Sequence, residues 1–147
     1  MEFNIEPLAA CGKDLEYMFK AAYDETRPDD AVGLAFNKQA RVSLASKGRY
    51  IVSVAREDGK AVGYCSFSLL QSWYDGRWYA SQDTVYILPE YRKGNTFKNL
   101  WTIAEKQCIM LGIKEIQFIL PQTIIERLKL WLRLGYKQTA VILTRRV

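Results

Sequence analysis

Three observations predict a mixed helix-and-strand domain, α+β or α/β, ordered β-α-α-β-β-β-α-β-α-β along the 147 residues. Apolar residues recur at helical spacing before residue 47 and again after residue 96. Between them, from Tyr50, the period changes to that of strands broken by hairpin turns. With 49% hydrophobic and 13% aromatic residues, the chain carries enough apolar surface for a core and is not disordered. A single domain over residues 1–147 is expected, because no repeat, linker or low-complexity segment interrupts the pattern.

Phe3 and Ile5 alternate with polar residues and predict a short first strand. Leu15, Met18, Phe19, Ala22 and Tyr23 then fall on one helical face. The stretch from Asp24 to Asp30, with Thr26 and Pro28, breaks that helix. A second helix is expected from Val32 to Ser46, carrying Leu34, Ala35, Val42 and Ala45 inward and stopping at Gly48. Tyr50–Arg56 and Ala61–Leu70 read as a hairpin around Asp58-Gly59. A third antiparallel strand follows the Asp75-Gly76 turn and ends near Leu88-Pro89.

After the polar turn Tyr91–Thr96, Phe97, Leu100, Trp101, Ala104, Cys108 and Leu111 trace a helix that Gly112 terminates. Ile113–Leu120 reads as a strand. Thr123 and Glu126 form a capping box for a helix that turns Ile124, Leu128, Trp131 and Leu132 inward and ends at Gly135. Lys137–Thr144 reads as a last strand.

Composition narrows the chemistry. There is no histidine, which removes the Ser-His-Asp triad, the Cys-His pair and histidine-based zinc hydrolysis. Cys11, Cys65 and Cys108 lie far apart in apolar patterns and read as buried thiols, not a disulfide framework or a metal site. No apolar run approaches the ~20 residues a membrane span requires. The N-terminal stretch carries glutamates where a signal peptide needs basic residues, so no membrane contact and a cytoplasmic location are expected.

Charge is uneven. Residues 1–90 hold 10 Lys/Arg against 13 Asp/Glu, and residues 91–147 hold 11 against 3. The second part is thus a cationic half able to attract a polyanion, whether a nucleic acid or a phosphorylated cofactor. Its Tyr91–Thr96 turn joins a strand end to a helix N-terminus, where unpaired N–H groups and the helix dipole favour an anion. Gly94 allows close approach there, and Arg92, Lys93 and Lys98 add positive charge.

The run Ile87-Leu88-Pro89-Glu90-Tyr91-Arg92-Lys93-Gly94, followed later by Leu132-Arg133-Leu134-Gly135-Tyr136, resembles the GNAT superfamily of acyl-CoA-dependent N-acyltransferases. The hairpin Arg56-Glu57-Asp58-Gly59-Lys60-Ala61-Val62-Gly63-Tyr64 is similar as well. The likeness runs from about residue 3 to the end, in the family's order of elements. It implies an α+β fold with a mixed, mostly antiparallel central sheet and helices on both faces.

It implies further that acetyl-CoA lies where the strand ending at Leu88 splays from the one starting at Ile113. Its diphosphate would rest on the backbone N–H groups of Arg92, Lys93, Gly94, Asn95, Thr96 and Phe97. The pantetheine arm would pair with backbone near Val85, Ile87 and Leu88 as an added strand. An N–H near Leu88 would polarise the thioester carbonyl.

The chain departs from the family pattern at several positions. The turn reads Arg92-Lys93-Gly94-Asn95-Thr96-Phe97 instead of Arg-x-x-Gly-x-Gly, a shorter Arg-x-Gly form associated with divergent and phage-encoded members. Trp131 stands where a tyrosine general acid is often found, and Leu120-Pro121-Gln122-Thr123 lacks the expected asparagine. Only one terminal strand follows the last helix, so either a final strand is missing or a partner chain, as in a homodimer, covers the edge.

Without histidine, proton transfer falls to other groups. Asp83, on the strand entering the cleft at the parity of Val85 and Ile87, is the candidate base; the alternative is an exposed strand carboxylate. Tyr136 is the candidate proton donor to the thiolate; the alternative is a core aromatic. Trp73, Tyr74, Trp78 and Tyr79 flank the Asp75-Gly76 turn as cross-strand pairs, a substrate wall or a protein-binding patch. Asp24, Glu25, Asp29 and Asp30 either attract a cationic amine or form a solvated connection.

Three functions are therefore weighed. The first is an acetyl-CoA-dependent transferase acting on an amine of a small molecule or protein. The second is a catalytically inactive binding or structural module of the same fold, perhaps phage-related. Nucleic-acid binding ranks last, because the basic residues are spread over 97–111 and 123–134 with no arginine-rich stripe.

Overall fold

Near-continuous buried runs in the strands from Tyr50 to Gln71 organise the molecule, because they give the sheet two covered faces. The computed structural model describes residues 1–26, 38–120 and 122–145, with the side chains of 122–124 left out of the description. Strands β1 (Glu2–Ile5), β2 (Tyr50–Glu57), β3 (Lys60–Gln71), β4 (Trp78–Ile87) and β5 (Ile116–Gln117) form one sheet in that order. The first four pair antiparallel, and β5 joins β4 in parallel. The β2–β3 connection places both Asp58 and Gly59 at positive φ, the geometry of a tight hairpin turn.

Helix α1 (Leu8–Thr26) covers one face. Its buried stripe of Cys11, Leu15, Met18 and Phe19 packs with Tyr50, Val52, Val54 and Tyr64. Helix α3 (Thr96–Met110) covers the other, setting Leu100, Trp101, Ala104 and Cys108 against Ile51, Cys65, Phe67 and Ile87. Helix α2 (Lys38–Ser46) has no fully buried residue. It rests on Leu44 and Ala45 and ends where Arg49 N–H reaches Leu44 O at 2.8 Å. Val42, expected inward, is exposed. The expected start of this helix at Val32, with Leu34 and Ala35, lies outside the described residues, as do Pro28, Asp29 and Asp30.

Three expectations change beyond Met110. The strand read over Ile113–Leu120 contracts to Ile116–Gln117, since only Ala80 and Ser81 of β4 pair with it. The helix read from Thr123 is a 3-10 turn (Gln122–Arg127) before α4 (Leu128–Arg133), with Trp131 buried but Leu132 exposed. The side chains of Thr123 and Ile124 lie outside the description. Lys137–Thr144 forms no strand: it has no regular structure and leaves Val141, Ile142 and Leu143 exposed. A strand needs a neighbour to complete its ladder, and no described strand flanks β5 on its outer side.

Candidate active site: a gap between diverging strands

The short β4–β5 pairing opens the molecule. Beyond Ser81, β4 continues to Ile87 with no strand on that side among the described residues. Leu88 N–H donates to Val62 O at 2.9 Å, so by strand alternation the main-chain groups of Val85 and Ile87 face away from β3, into the gap. The Leu88 expectation is thereby corrected. Its N–H is used by β3 and its carbonyl accepts from Tyr91 N–H at 2.9 Å, leaving neither group for a thioester.

The chain leaves the gap through a 3-10 turn at Pro89–Tyr91 and enters α3. Arg92 N–H donates to Pro89 O at 3.2 Å, and the first main-chain bond into the helix is Asn99 N–H to Asn95 O at 2.8 Å. Among the described residues, the amides of Lys93, Gly94, Asn95, Thr96, Phe97 and Lys98 have no acceptor at hydrogen-bonding geometry. Asn95 stands at the N-cap without a side-chain bond, while the buried Thr96 hydroxyl donates to Lys93 O at 3.1 Å and pins the turn. Gly94 sits at φ +60°, with nothing within 4 Å of where a Cβ would be. Lys93 and Lys98 are exposed and make no ion pair among the described residues. These donors lie at the positive end of a helix of 15 residues, with open space beside Gly94, an arrangement suited to a phosphate.

Arg92 behaves differently from the sequence expectation. Its Nε donates to Ile87 O at 2.7 Å, and its Nη1 and Nη2 grip Glu25 at 2.7 and 2.6 Å. The guanidinium also lies 5.1 Å from the centroid of the Tyr86 ring. Arg92 therefore contributes its charge to the end of α1, not to the open turn. The same bond makes Glu25, and not merely a solvated acidic loop, part of the site's frame.

Asp83 is also moved. Thr84 faces Ser66 and Gln82 faces Phe67, so Asp83 is the extra residue of a β-bulge. Simple alternation would have put it on the face of Val85 and Ile87. The bulge instead turns it to the α1 face, where Tyr50 Oη donates to its Oδ2 at 2.6 Å and Arg41 Nε at 2.9 Å. Burial, with the Asp83 carboxylate beside it, holds the Tyr50 proton on well above the ordinary phenol range. Tyr64, on the same face, is fully buried with no hydrogen-bond partner for its hydroxyl among the described residues. Gln82, its side-chain oxygen turned to the main chain, accepts from Thr84 N–H at 3.0 Å and Val85 N–H at 3.1 Å.

Tyr136 packs in an aromatic cluster with Trp101, Phe118 and Trp131. Its hydroxyl donates to Glu105 Oε1 at 3.0 Å and accepts from Trp101 Nε1 at 3.0 Å. Burial and the neighbouring Glu105 push its ionisation up. Sequence reasoning missed Gln82, Arg41 and Tyr50, and it named Glu25 only in an acidic loop, not as the partner of Arg92. None carries a local signal, since each joins the site through a bulge or a contact far along the chain.

The sequence pattern of the Acetyltransferase (GNAT) family matches residues 13–136, most of the chain. The chain belongs to the acetyltransferase (GNAT) family. No curated protein sequence matches this GNAT chain significantly. Solved structures do match it in fold. An aminoglycoside N-acetyltransferase, AAC(6')-Iy in complex with CoA, superposes with a TM-score of 0.74 at 14% identity, covering 99% of this chain and 98% of that one. Ribosomal-protein-alanine N-acetyltransferase from Brucella melitensis biovar Abortus gives 0.72 at 16% identity over the full length of both chains. Glucosamine-6-phosphate N-acetyltransferase from Arabidopsis thaliana gives 0.71 at 12% identity over 99% of each. The GNAT fold is thus shared over essentially the whole chain at low identity. No described helix is long and apolar enough to cross a membrane.

Proposed function

We propose that this chain is an acetyl-CoA-dependent N-acyltransferase that acetylates an amine of a small molecule or protein by direct transfer. The reading is carried by the row of unpaired amides from Lys93 to Lys98 beside the opening between β4 and β5. Family membership and a structural relative solved with CoA support it. The turn amides would hold the diphosphate, and the gap-facing carbonyl of Val85 and N–H of Ile87, which no other group engages among the described residues, would pair with the pantetheine arm. Bound acetyl-CoA supplies an activated acyl group.

The chain's own residues supply orientation and proton handling. The Thr84 and Val85 amides become donors for a carbonyl oxygen once the Gln82 side chain swings away. Asp83, fixed by Tyr50 and Arg41, is the base for the amine, directly or through water. In balance, the nitrogen gains the acyl carbon and loses a proton, and the sulfur leaves as thiolate and gains one. Tyr136 keeps its proton and donates it in a hydrogen bond to Glu105, bracing α3, and on this reading the proton reaching sulfur originates from the amine.

The engagement of Asp83 Oδ2 by two donors favours one rival, a binding module of the same fold without turnover. Two measurements separate the readings. Acetyl-CoA at 100 times its Kd should stabilise the fold by about 2.7 kcal/mol, and an unchanged melting curve rejects both cofactor readings. Thiol release from acetyl-CoA across a panel of amines should then appear and fall at least about tenfold in Asp83→Asn. Binding without release leaves the module.

A further inference from the structure

The strongest feature not absorbed by acyl transfer lies at the opposite end of β4. Trp73 and Tyr74 stand fully exposed at the tip of the β3–β4 hairpin, Trp73 at 100%. They are not cross-strand pairs. The tip is nevertheless well built: Ser72 N–H reaches Arg77 O at 2.9 Å, Gly76 N–H reaches Ser72 O at 3.0 Å, and Gln71 Nε2 reaches Gly76 O at 2.7 Å. Arg77 grips Asp75 at 2.7 Å, which holds that carboxylate down to about 2. An ordered loop thus displays two large aromatic side chains to water, where polar residues would serve the turn equally well.

The Gln71–Trp78 rung joins this tip to a groove of about 300 Å³ lined by Arg49, Leu69, Trp78, Leu111 and Ile113. Met110 and Ile109, at the end of α3, are also exposed, at 79% and 61%. The rim is cationic. Lys47, Arg49 and Lys114 are exposed, and none pairs with a carboxylate among the described residues. The Arg49 guanidinium lies 4.5 Å from the centroid of the Trp78 ring. Of the carboxylates beside these groups, Asp75 is ion-paired with Arg77, and Glu115 accepts from the neutral Gln117 amide and keeps its charge, so the three unpaired cations outnumber it.

We propose that this pole is a docking surface for an acidic polypeptide segment bearing apolar side chains, contributed by a partner protein. The aliphatic walls Leu69, Leu111 and Ile113 suit side chains better than stacked bases. A second copy meeting it face to face would set cation against cation. The surface is also remote from the amides at Lys93–Lys98: β4 runs from Trp78 to Ile87, roughly 30 Å of strand at ~3.3 Å per residue. Docking here goes beyond the acyl-transfer reading and does not rest on it.

The test uses the full chain and two fluorescein-labelled synthetic peptides alternating Leu and Phe with Glu in one and with Lys in the other. The Glu peptide is expected to raise its anisotropy on binding and to slow amide exchange over residues 47–49, 72–78 and 109–114. Trp73→Ser/Tyr74→Ser, which touches only exposed side chains, should weaken it at least about tenfold without shifting the thermal midpoint. Lys47→Glu/Arg49→Glu/Lys114→Glu should exchange the preference to the Lys peptide. Equal binding of both peptides, protection elsewhere, or affinity unchanged in the Trp73/Tyr74 variant overturns the proposal. So does a dimer in sedimentation that this variant disperses, or competition by single-stranded oligothymidine.

Discussion

Gly94 tolerates its left-handed backbone because it has no Cβ, and its open flank leaves room for a ligand to approach the turn amides. Gly94→Trp is expected to abolish stabilisation by acetyl-CoA, with a cost to the ligand-free fold of only ~1–2 kcal/mol from the forced positive φ. Thermal unfolding with and without acetyl-CoA checks both parts. Retained stabilisation in that variant refutes the turn as the diphosphate site. The three cysteines act at the same scale. Burial pushes the Cys11 thiol up to about 11 and that of Cys108 up to about 12, and Cys65 is raised as well. A raised folded-state value means the unfolded chain ionises first, so this contribution is whole below about pH 9 and is lost as pH rises toward 12. Burial also raises Tyr50, Tyr64 and Tyr136, which steepens the fall above pH 10. Urea midpoints measured from about pH 8 to 11 should decline, and Cys108→Ala should flatten the early part. A midpoint constant through that range contradicts the assignment.

Among elements, the Arg92 tie deserves a direct measurement because it links α1, β4 and the turn. Its Nε bond to Ile87 O occupies a carbonyl that faces the gap, while its other nitrogens hold Glu25. Arg92→Ala removes both contacts and should destabilise by about 1–2 kcal/mol, whereas Glu25→Ala removes only a partly exposed ion pair. A double-mutant cycle in urea should give a coupling of about 0.2–1 kcal/mol. Because the guanidinium points to α1, Arg92→Ala should leave acetyl-CoA affinity within about threefold. A larger loss means the side chain reaches the diphosphate after all. The β4 bulge is the other decisive element. One extra residue carries Asp83 from the α3 face to Tyr50 and Arg41, which fastens an otherwise poorly buried α2 to the sheet.

For the molecule as a whole, the lopsided charge becomes a long-range effect. The cationic stretch from residue 91 onward includes the turn before α3, and its field should draw in a ligand carrying several phosphate charges. Acetyl-CoA affinity is therefore expected to weaken several-fold between about 50 and 500 mM salt as screening shortens that field. Isothermal titration at the two salt levels decides it, and a salt-independent Kd argues against electrostatic capture. The hairpin at Asp58-Gly59, the buried stripes of α1 and α3 and the Arg92–Gly94 turn are legible because each depends on spacing within a few residues. Apolar periodicity and turn chemistry are local properties, so the amino-acid sequence by itself determined the order of elements, the family likeness and the position of the amide-rich turn. Tertiary structure alone decided that β5 keeps two paired residues, that residues 137–145 form no strand, that Asp83 changes face and that Arg92 turns to Glu25. Those outcomes depend on which neighbour completes a ladder or a charge, and that neighbour lies tens of residues away along the chain.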